Sequence, residues 1–248
     1  MVILYMKIDI LTVFPKMFQG SFTESLIGKA TKNSILQIKV TDIRSFSKDK
    51  HKKVDDKPFG GGVGMVLKPE PLYDAIKSLG VKKKNSSYKN FYAKPFVIYM
   101  SPQGKTLNNV LIKKLSKFKH LIFVCGHYEG IDERIINYVD EEISIGDYVL
   151  TGGEIPTMVV VDSIARMLPG VVKEESSVEN DSFYNGFLDY PHYTRPAVFR
   201  GHKVPDVLLS GDHKKIDLWR KNEAYERTKK RRPDLLKRFR SSIKPEGR

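Results

Sequence analysis

Three short segments hold residue types that could do chemistry together. They are Tyr99-Met100-Ser101-Pro102-Gln103-Gly104, Cys125-Gly126-His127-Tyr128-Glu129-Gly130, and Ile145-Gly146-Asp147-Tyr148-Val149-Leu150-Thr151-Gly152-Gly153-Glu154. Each follows an apolar run that reads as a strand, so each is expected to be a turn at a strand's carboxyl end. In open α/β sheets, ligands bind beyond such ends. Glycines there let backbone N–H and C=O groups approach a ligand closely, and Tyr128, Tyr148 and Leu150 could wall an adenine ring. For any one segment the plainer reading is a tight turn without a ligand, because glycine mostly serves backbone geometry. Three glycine–aromatic turns after three successive strands are harder to explain that way.

Two charged residues compete for a role. Arg166 lies in an otherwise apolar helix, where a charge must be ion-paired or functional. Asp181 precedes Ser182 at the end of a polar stretch, and helix capping is its ordinary use. Other motifs fail. Gly104-Lys105-Thr106 has the tail of a phosphate-binding loop, but Tyr99 stands where that loop needs its first glycine. Gly60-Gly61-Gly62-Val63-Gly64 follows a charged stretch rather than a strand, so the dinucleotide fingerprint lacks its context. The 6 histidines form no His-x-x-x-His pair, the single Cys125 cannot build a zinc cage, and no Gly-x-Ser-x-Gly elbow occurs. Kinase, nicotinamide, zinc and serine-hydrolase readings fall away. Cys125, at the end of an apolar strand, reads as a small packing residue.

These residues must be positioned by an alternating framework. Lys7–Phe14, Leu36–Ile43, Phe96–Met100, His120–Cys125 and Ile143–Ile145 read as strands; Leu72–Leu79, Leu107–Leu115 and Ile155–Leu168 read as helices. Alternation of this kind predicts an α/β domain with a largely parallel sheet. Residues 171–181 are polar and aperiodic and read as a flexible linker. The organisation is therefore a domain over residues 1–170, the linker 171–181, and a basic helical domain over 182–248. Ile216, Leu218 and Trp219 give one of its helices an apolar edge, and Pro233 fits the first turn of another. Lys82–Lys94 reads as a polar surface excursion.

The chain of 248 residues carries 43 Lys+Arg against 29 Asp+Glu, a net charge of +14, with 40% hydrophobic residues. That is enough apolar material for a core, which excludes disorder along most of its length. The basic balance calls for a polyanionic partner, nucleic acid first. Between His213 and Arg248 there are 14 Lys/Arg and 5 Asp/Glu, a net of 14 − 5 = +9. Lys229, Lys230, Arg231, Arg232, Lys237, Arg238 and Arg240 are expected to meet phosphates. Asp189–Pro196, with His192, Tyr193 and Arg195, mixes aromatics and cations suited to unpaired bases. One cysteine gives no disulfide framework, and the apolar run Val2–Met6 is too short to span a bilayer. A cytoplasmic protein without a membrane segment is expected.

The sequence resembles the bacterial tRNA (guanine-N1-)-methyltransferases of TrmD type, in the SPOUT superfamily of trefoil-knotted methyltransferases. The resemblance runs from Met6 to about Leu236. It rests on Asp55-Asp56-Lys57-Pro58-Phe59-Gly60-Gly61-Gly62, Ser101-Pro102-Gln103-Gly104, Gly126-His127-Tyr128-Glu129-Gly130-Ile131-Asp132-Glu133-Arg134, Ser144–Glu154, Asp189-Tyr190-Pro191-His192-Tyr193-Thr194-Arg195-Pro196 and Arg231-Arg232-Pro233, in that order. It implies that the three turns form a deep trefoil knot, an exception to unthreaded topology. It implies S-adenosylmethionine bound against Tyr99, Met100, Gly126, Tyr128, Gly130, Ile145, Gly146, Tyr148, Leu150, Gly152, Gly153 and Pro156. It implies a homodimer whose active sites draw on both subunits, and methyl transfer to N1 of guanosine at tRNA position 37. Asp181 would be the general base, Arg166 would stabilise the developing guanine anion, and Asp189, His192 and Arg195 would join the basic residues in holding tRNA. The family activity is linked to Mg²⁺; no ligands are assigned. The residues alone leave two rivals: a non-catalytic RNA-binding protein on this scaffold, and a knotted methyltransferase acting on ribosomal RNA or a ribose hydroxyl. Relative to the family, Met1–Tyr5 reads as a start-site extension, and Lys82–Lys94 as longer than its counterpart. Transfer RNA is expected to order residues 171–181 and bring Asp181 over the guanine.

Overall fold

The computed structural model describes residues 6–81, 91–172 and 181–242, with side chains through residue 237. The extension Met1–Tyr5, residues 82–90 of the excursion and residues 173–180 of the linker lie outside the described residues. The chain divides into two compact units, Met1–Lys173 and Glu174–Arg248.

The first unit is built on a five-stranded sheet in which every pairing is parallel. Its strands are β1 (Met6–Thr12), β2 (Leu36–Asp42), β5 (Pro95–Thr106), β6 (His120–Cys125) and β7 (Glu141–Ser144), in the order β2-β1-β6-β5-β7. Between β2 and β5 lies a small antiparallel ribbon of β3 (Asp55–Asp56) and β4 (Val66–Leu67). The helices are α1 (Ser25–Lys32), α2 (Pro69–Ser78), α3 (Asn109–Leu115) and α4 (Glu154–Met167).

Strand side chains alternate between two cores because their period is two. Met6, Ile8, Ile10, Ile98 and Phe123 pack with Ile27 of α1, Leu111 and Leu115 of α3, and Val160 and Ile164 of α4. Leu11, Val97, Ile122 and Val124 pack instead with Leu72, Ala75 and Ile76 of α2 and with Ile135 and Val139. The sheet is therefore covered on both faces, as parallel sheets are. Capping fixes the start of α3: Asn108 Oδ1 accepts from Leu111 N–H at 3.0 Å.

The structure amends four of the strand readings. β2 closes at Asp42, and β7 begins two residues before Ile143 and ends at Ser144, leaving Ile145 outside it. β1 stops at Thr12, where Phe14 N–H turns back onto Thr12 Oγ1 at 2.8 Å rather than continuing the ladder. β5 does not end at Met100. It runs to Thr106, pairing with β7 up to Met100 and again at Lys105 and Thr106, with a register shift between. Pro102 has no N–H to give the ladder, so Ser101–Gly104 leaves the register as an irregularity inside one strand, not a turn after it. Gly104 is required where the irregularity lies against β7: an added Cβ would lie 2.3 Å from Ile143 N.

The second unit opens at Asp181 without a helix through Pro205 among the described residues, and includes a two-stranded hairpin, β8 (Val198–Phe199) with β9 (His202–Lys203). Helices α5 (Asp206–Leu209), α6 (His213–Arg231) and α7 (Pro233–Ser242) follow. Asp212 caps α6 by accepting from Lys215 N–H at 3.2 Å. Ile216 is buried in it, whereas Leu218 is exposed; two residues along a helix point to different sides, so Leu218 is not part of the apolar edge.

Candidate active site

A cavity of about 320 Å³ opens beside the irregularity in the middle of β5, at the carboxyl ends of β6 and β7 and the start of α4. That lies within the range of small-ligand sites. All twelve positions that the resemblance implies for the donor line it, eleven in the three segments and Pro156 just after them: Tyr99, Met100, Gly126, Tyr128, Gly130, Ile145, Gly146, Tyr148, Leu150, Gly152, Gly153 and Pro156. The walls also include residues that sequence reading passed over, among them Ser101, His127, Glu129 and Thr151. Their signal was present, since they sit inside the same motifs, but as isolated polar residues they looked like ordinary turn chemistry.

Backbone contacts close the cavity. Gly153 N–H donates to Gly126 O at 2.8 Å, and His127 and Gly152 form an antiparallel bridge. Glu129 N–H donates to Met65 O at 3.0 Å, tying the second turn to the β3–β4 ribbon. At Gly146, φ is +143°, a conformation that demands glycine, and the Tyr148 ring lies over it, 2.6 Å from where a Cβ would be. Gly152 admits Glu154 and His127 against the backbone: its Cβ would sit 2.5 Å from Glu154 Oε2 and 2.6 Å from His127 Nδ1.

Beneath the cavity lies a buried carboxylate. Glu154, at the first position of α4 and 1% exposed, accepts from Thr12 Oγ1 at 2.7 Å. A carboxylate at a helix N-terminus is also favoured by the helix dipole. His127 Nδ1 stands 3.8 Å from Glu154 Oε2 and, among the described residues, is buried without a hydrogen-bond partner. The Phe14 ring packs on the His127 ring at 4.6 Å between centroids.

Two neighbouring groups are held in their neutral forms. Burial, then the nearby Glu142 charge, pushes the Tyr99 phenol up to about 12. Burial pushes the Cys125 thiol up as well; its sulfur shares a hydrogen bond with Thr157 Oγ1 at 3.2 Å. Neither is a base or nucleophile near neutral pH.

Among the described residues the lining contains no lysine or arginine, and it includes Glu129. Phosphate groups would find no cationic side chain there, whereas an uncharged ring and a cationic centre would meet main-chain dipoles, aromatic walls and a carboxylate. These residues fit S-adenosylmethionine, a nucleoside bearing a cationic sulfur. Among the described residues no group of three His, Cys, Asp or Glu is arranged to hold a metal ion.

Arg166 lies in the last turn of α4, half-buried, and is not part of the cavity lining. Asp181, also half-buried, begins the described part of the second unit, where its carbonyl accepts from Tyr184 N–H at 3.2 Å. Within that unit Asp189 Oδ2 binds His192 Nε2 at 2.7 Å, and Asp189 Oδ1 accepts Tyr190 N–H at 2.7 Å. The Arg220 guanidinium lies 5.1 Å from the Tyr190 ring centre. Arg195, Lys229, Lys230 and Arg231 are exposed. Lys229 comes within 3.8 Å of Glu226, and Arg232 is engaged by both oxygens of Asp234 at 2.8 Å, which raises its pKa further. Among the described residues no helix is long and apolar enough to cross a membrane.

Residues 6–238 match the family described as tRNA (Guanine-1)-methyltransferase TrmD. A protein of Endomicrobium trichonymphae named tRNA (guanine-N(1)-)-methyltransferase is 74% identical over 233 residues, covering 94% of this chain and 100% of the relative. Proteins with the same name from Ruminiclostridium cellulolyticum and Fervidobacterium nodosum are each 53% identical, over 235 and 231 residues. Those alignments cover 94% and 93% of this chain, and 97% and 90% of the relatives.

Proposed function

We infer the reaction from one premise: the chain belongs to the tRNA (guanine-1)-methyltransferase family TrmD. It is an enzyme of that family, and we propose that it methylates N1 of guanosine at position 37 of tRNA. The observation that carries this reading is the convergence of three glycine–aromatic segments on one cavity that, among the described residues, has no lysine or arginine in its lining.

S-adenosylmethionine, when bound, supplies an electrophilic methyl group on a cationic sulfur. Tyr128, Tyr148 and Leu150 wall the adenosine, and the backbone of Gly126, Gly130, Gly146, Gly152 and Gly153 supplies dipoles at close range. Glu129 favours the positive centre by charge. Tyr99, kept neutral, offers a hydroxyl rather than a competing phenolate.

The acceptor poses the harder problem. Guanine N1 carries a proton, and its lone pair is unavailable until that proton leaves. Asp181 takes the N1 proton. An ordinary carboxylate, with pKa about 3.9, is a weak base for this purpose. It becomes effective when closure around the base desolvates it and when Arg166 holds the negative charge that gathers on guanine O6. Holding the reactants together supplies most of the remaining barrier reduction, a contribution that reaches ~7–11 kcal/mol in well-oriented systems.

The rest of the architecture serves this chemistry. The trefoil knot that the family resemblance implies would bring the three segments together; the cavity they share supports that reading. The enzyme acts as a homodimer in the cytoplasm, each active site drawing Asp181 and Arg166 from different protomers. The second unit, through Asp189, His192, Arg195, Lys229, Lys230, Arg231 and Arg232, holds tRNA.

The test is incubation with labelled S-adenosylmethionine and tRNA transcripts bearing guanosine or adenosine at position 37. Label enters the guanosine transcript alone. Incorporation into both, or into neither, contradicts the assignment.

A further inference from the structure

Residues 48–53 read Lys-Asp-Lys-His-Lys-Lys, four lysines against one carboxylate, and all six are exposed. A basic run of this kind is ordinarily a loosely solvated stretch. Here it is held in one shape. Ser47, 5% exposed, donates its hydroxyl to Lys53 O at 2.7 Å and closes the loop. Asp49 Oδ1 accepts from His51 N–H at 2.7 Å and from Lys53 N–H at 3.2 Å, while the Asp49 carbonyl accepts from Lys52 N–H at 3.0 Å. Lys52 occupies the left-handed region at φ 56°, uncommon for a side-chain-bearing residue, and its ammonium returns to Ser47 O at 3.3 Å.

The loop's only acid is therefore spent on the loop's own amides. Those hydrogen bonds also hold the Asp49 carboxyl below its usual range. Among the described residues Lys48 and Lys50 make no ion pair, and Lys53 reaches only Asp56, at 4.0 Å. What the fold presents outward is a fixed set of cations.

The loop's place matters as much as its charge. Val54, 2% exposed, anchors its end, and β3 follows directly, paired with β4. The ribbon is fastened to the second cavity segment: Leu67 N–H donates to Gly130 O and Asp132 N–H to Leu67 O, each at 3.0 Å. The loop thus ends two strand spacings, about 10 Å, from the Glu129–Gly130 wall of the cavity. A nucleotide entering from the Glu129–Gly130 side of the cavity would have its phosphates within reach of this loop.

We propose that residues 48–53 form a phosphodiester-binding site on the catalytic unit, with Lys48, Lys50 and Lys53 contacting the RNA backbone beside the methylated guanosine. The site is distinct from the basic helices of the second unit. The inference rests on the reading that the substrate is tRNA.

The test uses the full chain with Lys48, Lys50 and Lys53 all changed to Gln (K48Q/K50Q/K53Q). The dissociation constant for a tRNA transcript is measured between about 50 and 200 mM salt. The variant is expected to bind tRNA about tenfold more weakly at the low-salt end. Its dependence of log affinity on log salt is expected to be shallower by about 2, from loss of three contacts at roughly 0.7–0.9 each. Binding of S-adenosylmethionine stays unchanged. An unchanged slope, or an unchanged affinity, overturns the site. Wild-type protein that fails to bind tRNA contradicts the proposed function instead, which keeps the two failures apart. Should the variant lose donor binding, lysine acylation of the wild-type protein decides: tRNA must protect Lys48, Lys50 and Lys53, and equal labelling with and without tRNA refutes the proposal.

Discussion

The Thr12 hydroxyl donates a 2.7 Å hydrogen bond to Glu154 Oε1, joining the end of β1 to the first residue of α4 beneath the cavity. The same Thr12 oxygen accepts from Phe14 N–H at 2.8 Å, so one side chain stops a strand and satisfies a buried carboxylate. Thr12→Val keeps the shape and removes both roles. An unmet buried acceptor costs about 1–3 kcal/mol. The variant is expected to lose that much stability in urea denaturation and to bind S-adenosylmethionine more weakly. Glu154→Gln, whose amide oxygen still accepts from Thr12, is expected to be milder. Equal effects would mean that the hydrogen bond carries no special weight.

Gly152 tests the close packing of the cavity wall. A methyl group there must displace Glu154 Oε2 or His127 Nδ1, at 2.5 and 2.6 Å from the added carbon. Overpacking of this kind costs roughly 1–3 kcal/mol. Gly152→Ala is expected to weaken donor binding about tenfold in calorimetric titration while tRNA affinity stays as it was. Unaltered donor affinity would show that the wall yields.

Legibility followed burial. His120–Cys125 is the same strand in sequence and structure because Leu121–Cys125 is an unbroken apolar run enclosed on both faces. Helix α4 differs from its expected span by one residue at each end. The course of β5 could not be read: Pro102 looks like a stop, and only the neighbouring β7 backbone, distant in sequence, restores pairing at Lys105 and Thr106. Helix α1 carries few apolar residues and is defined by what it packs against. The cavity's walls were legible as glycine and aromatic types. Its polar underside was not, since nothing in the residues Thr12, His127 and Glu154 announces that they meet.

Asp9 provides an acid-stability test. It is fully buried on β1, with Lys7 Nζ at 2.9 Å and His120 Nε2 at 2.6 Å, both on Oδ2. Burial acts to raise its pKa, but the hydrogen bonds from His120 and Lys7 outweigh it, and the net direction is downward from 3.8. A carboxyl with a depressed folded pKa contributes stability that is complete above the unfolded value and lost as pH falls through the folded one. Stability of the wild-type protein is therefore expected to fall below about pH 4, and Asp9→Asn to fall less steeply over the same range. Parallel pH curves would remove Asp9 from the account.

Cys125 is expected to be silent. With no exposed surface and a raised thiol pKa, it presents almost no thiolate near neutral pH. A thiol-reactive chromophore should leave the native protein untouched and react with one thiol per chain after unfolding. Rapid reaction of the native protein would show that the strand end opens.

The most direct measurement is the identity of the product. Transcribed tRNA is treated with the enzyme and S-adenosylmethionine, digested to nucleosides and resolved by mass spectrometry, in parallel with the Asp181→Ala variant. The account predicts 1-methylguanosine as the sole methylated nucleoside with wild-type enzyme, and its disappearance with the variant while donor affinity is retained. Methylation at another atom, or full turnover by Asp181→Ala, would contradict it.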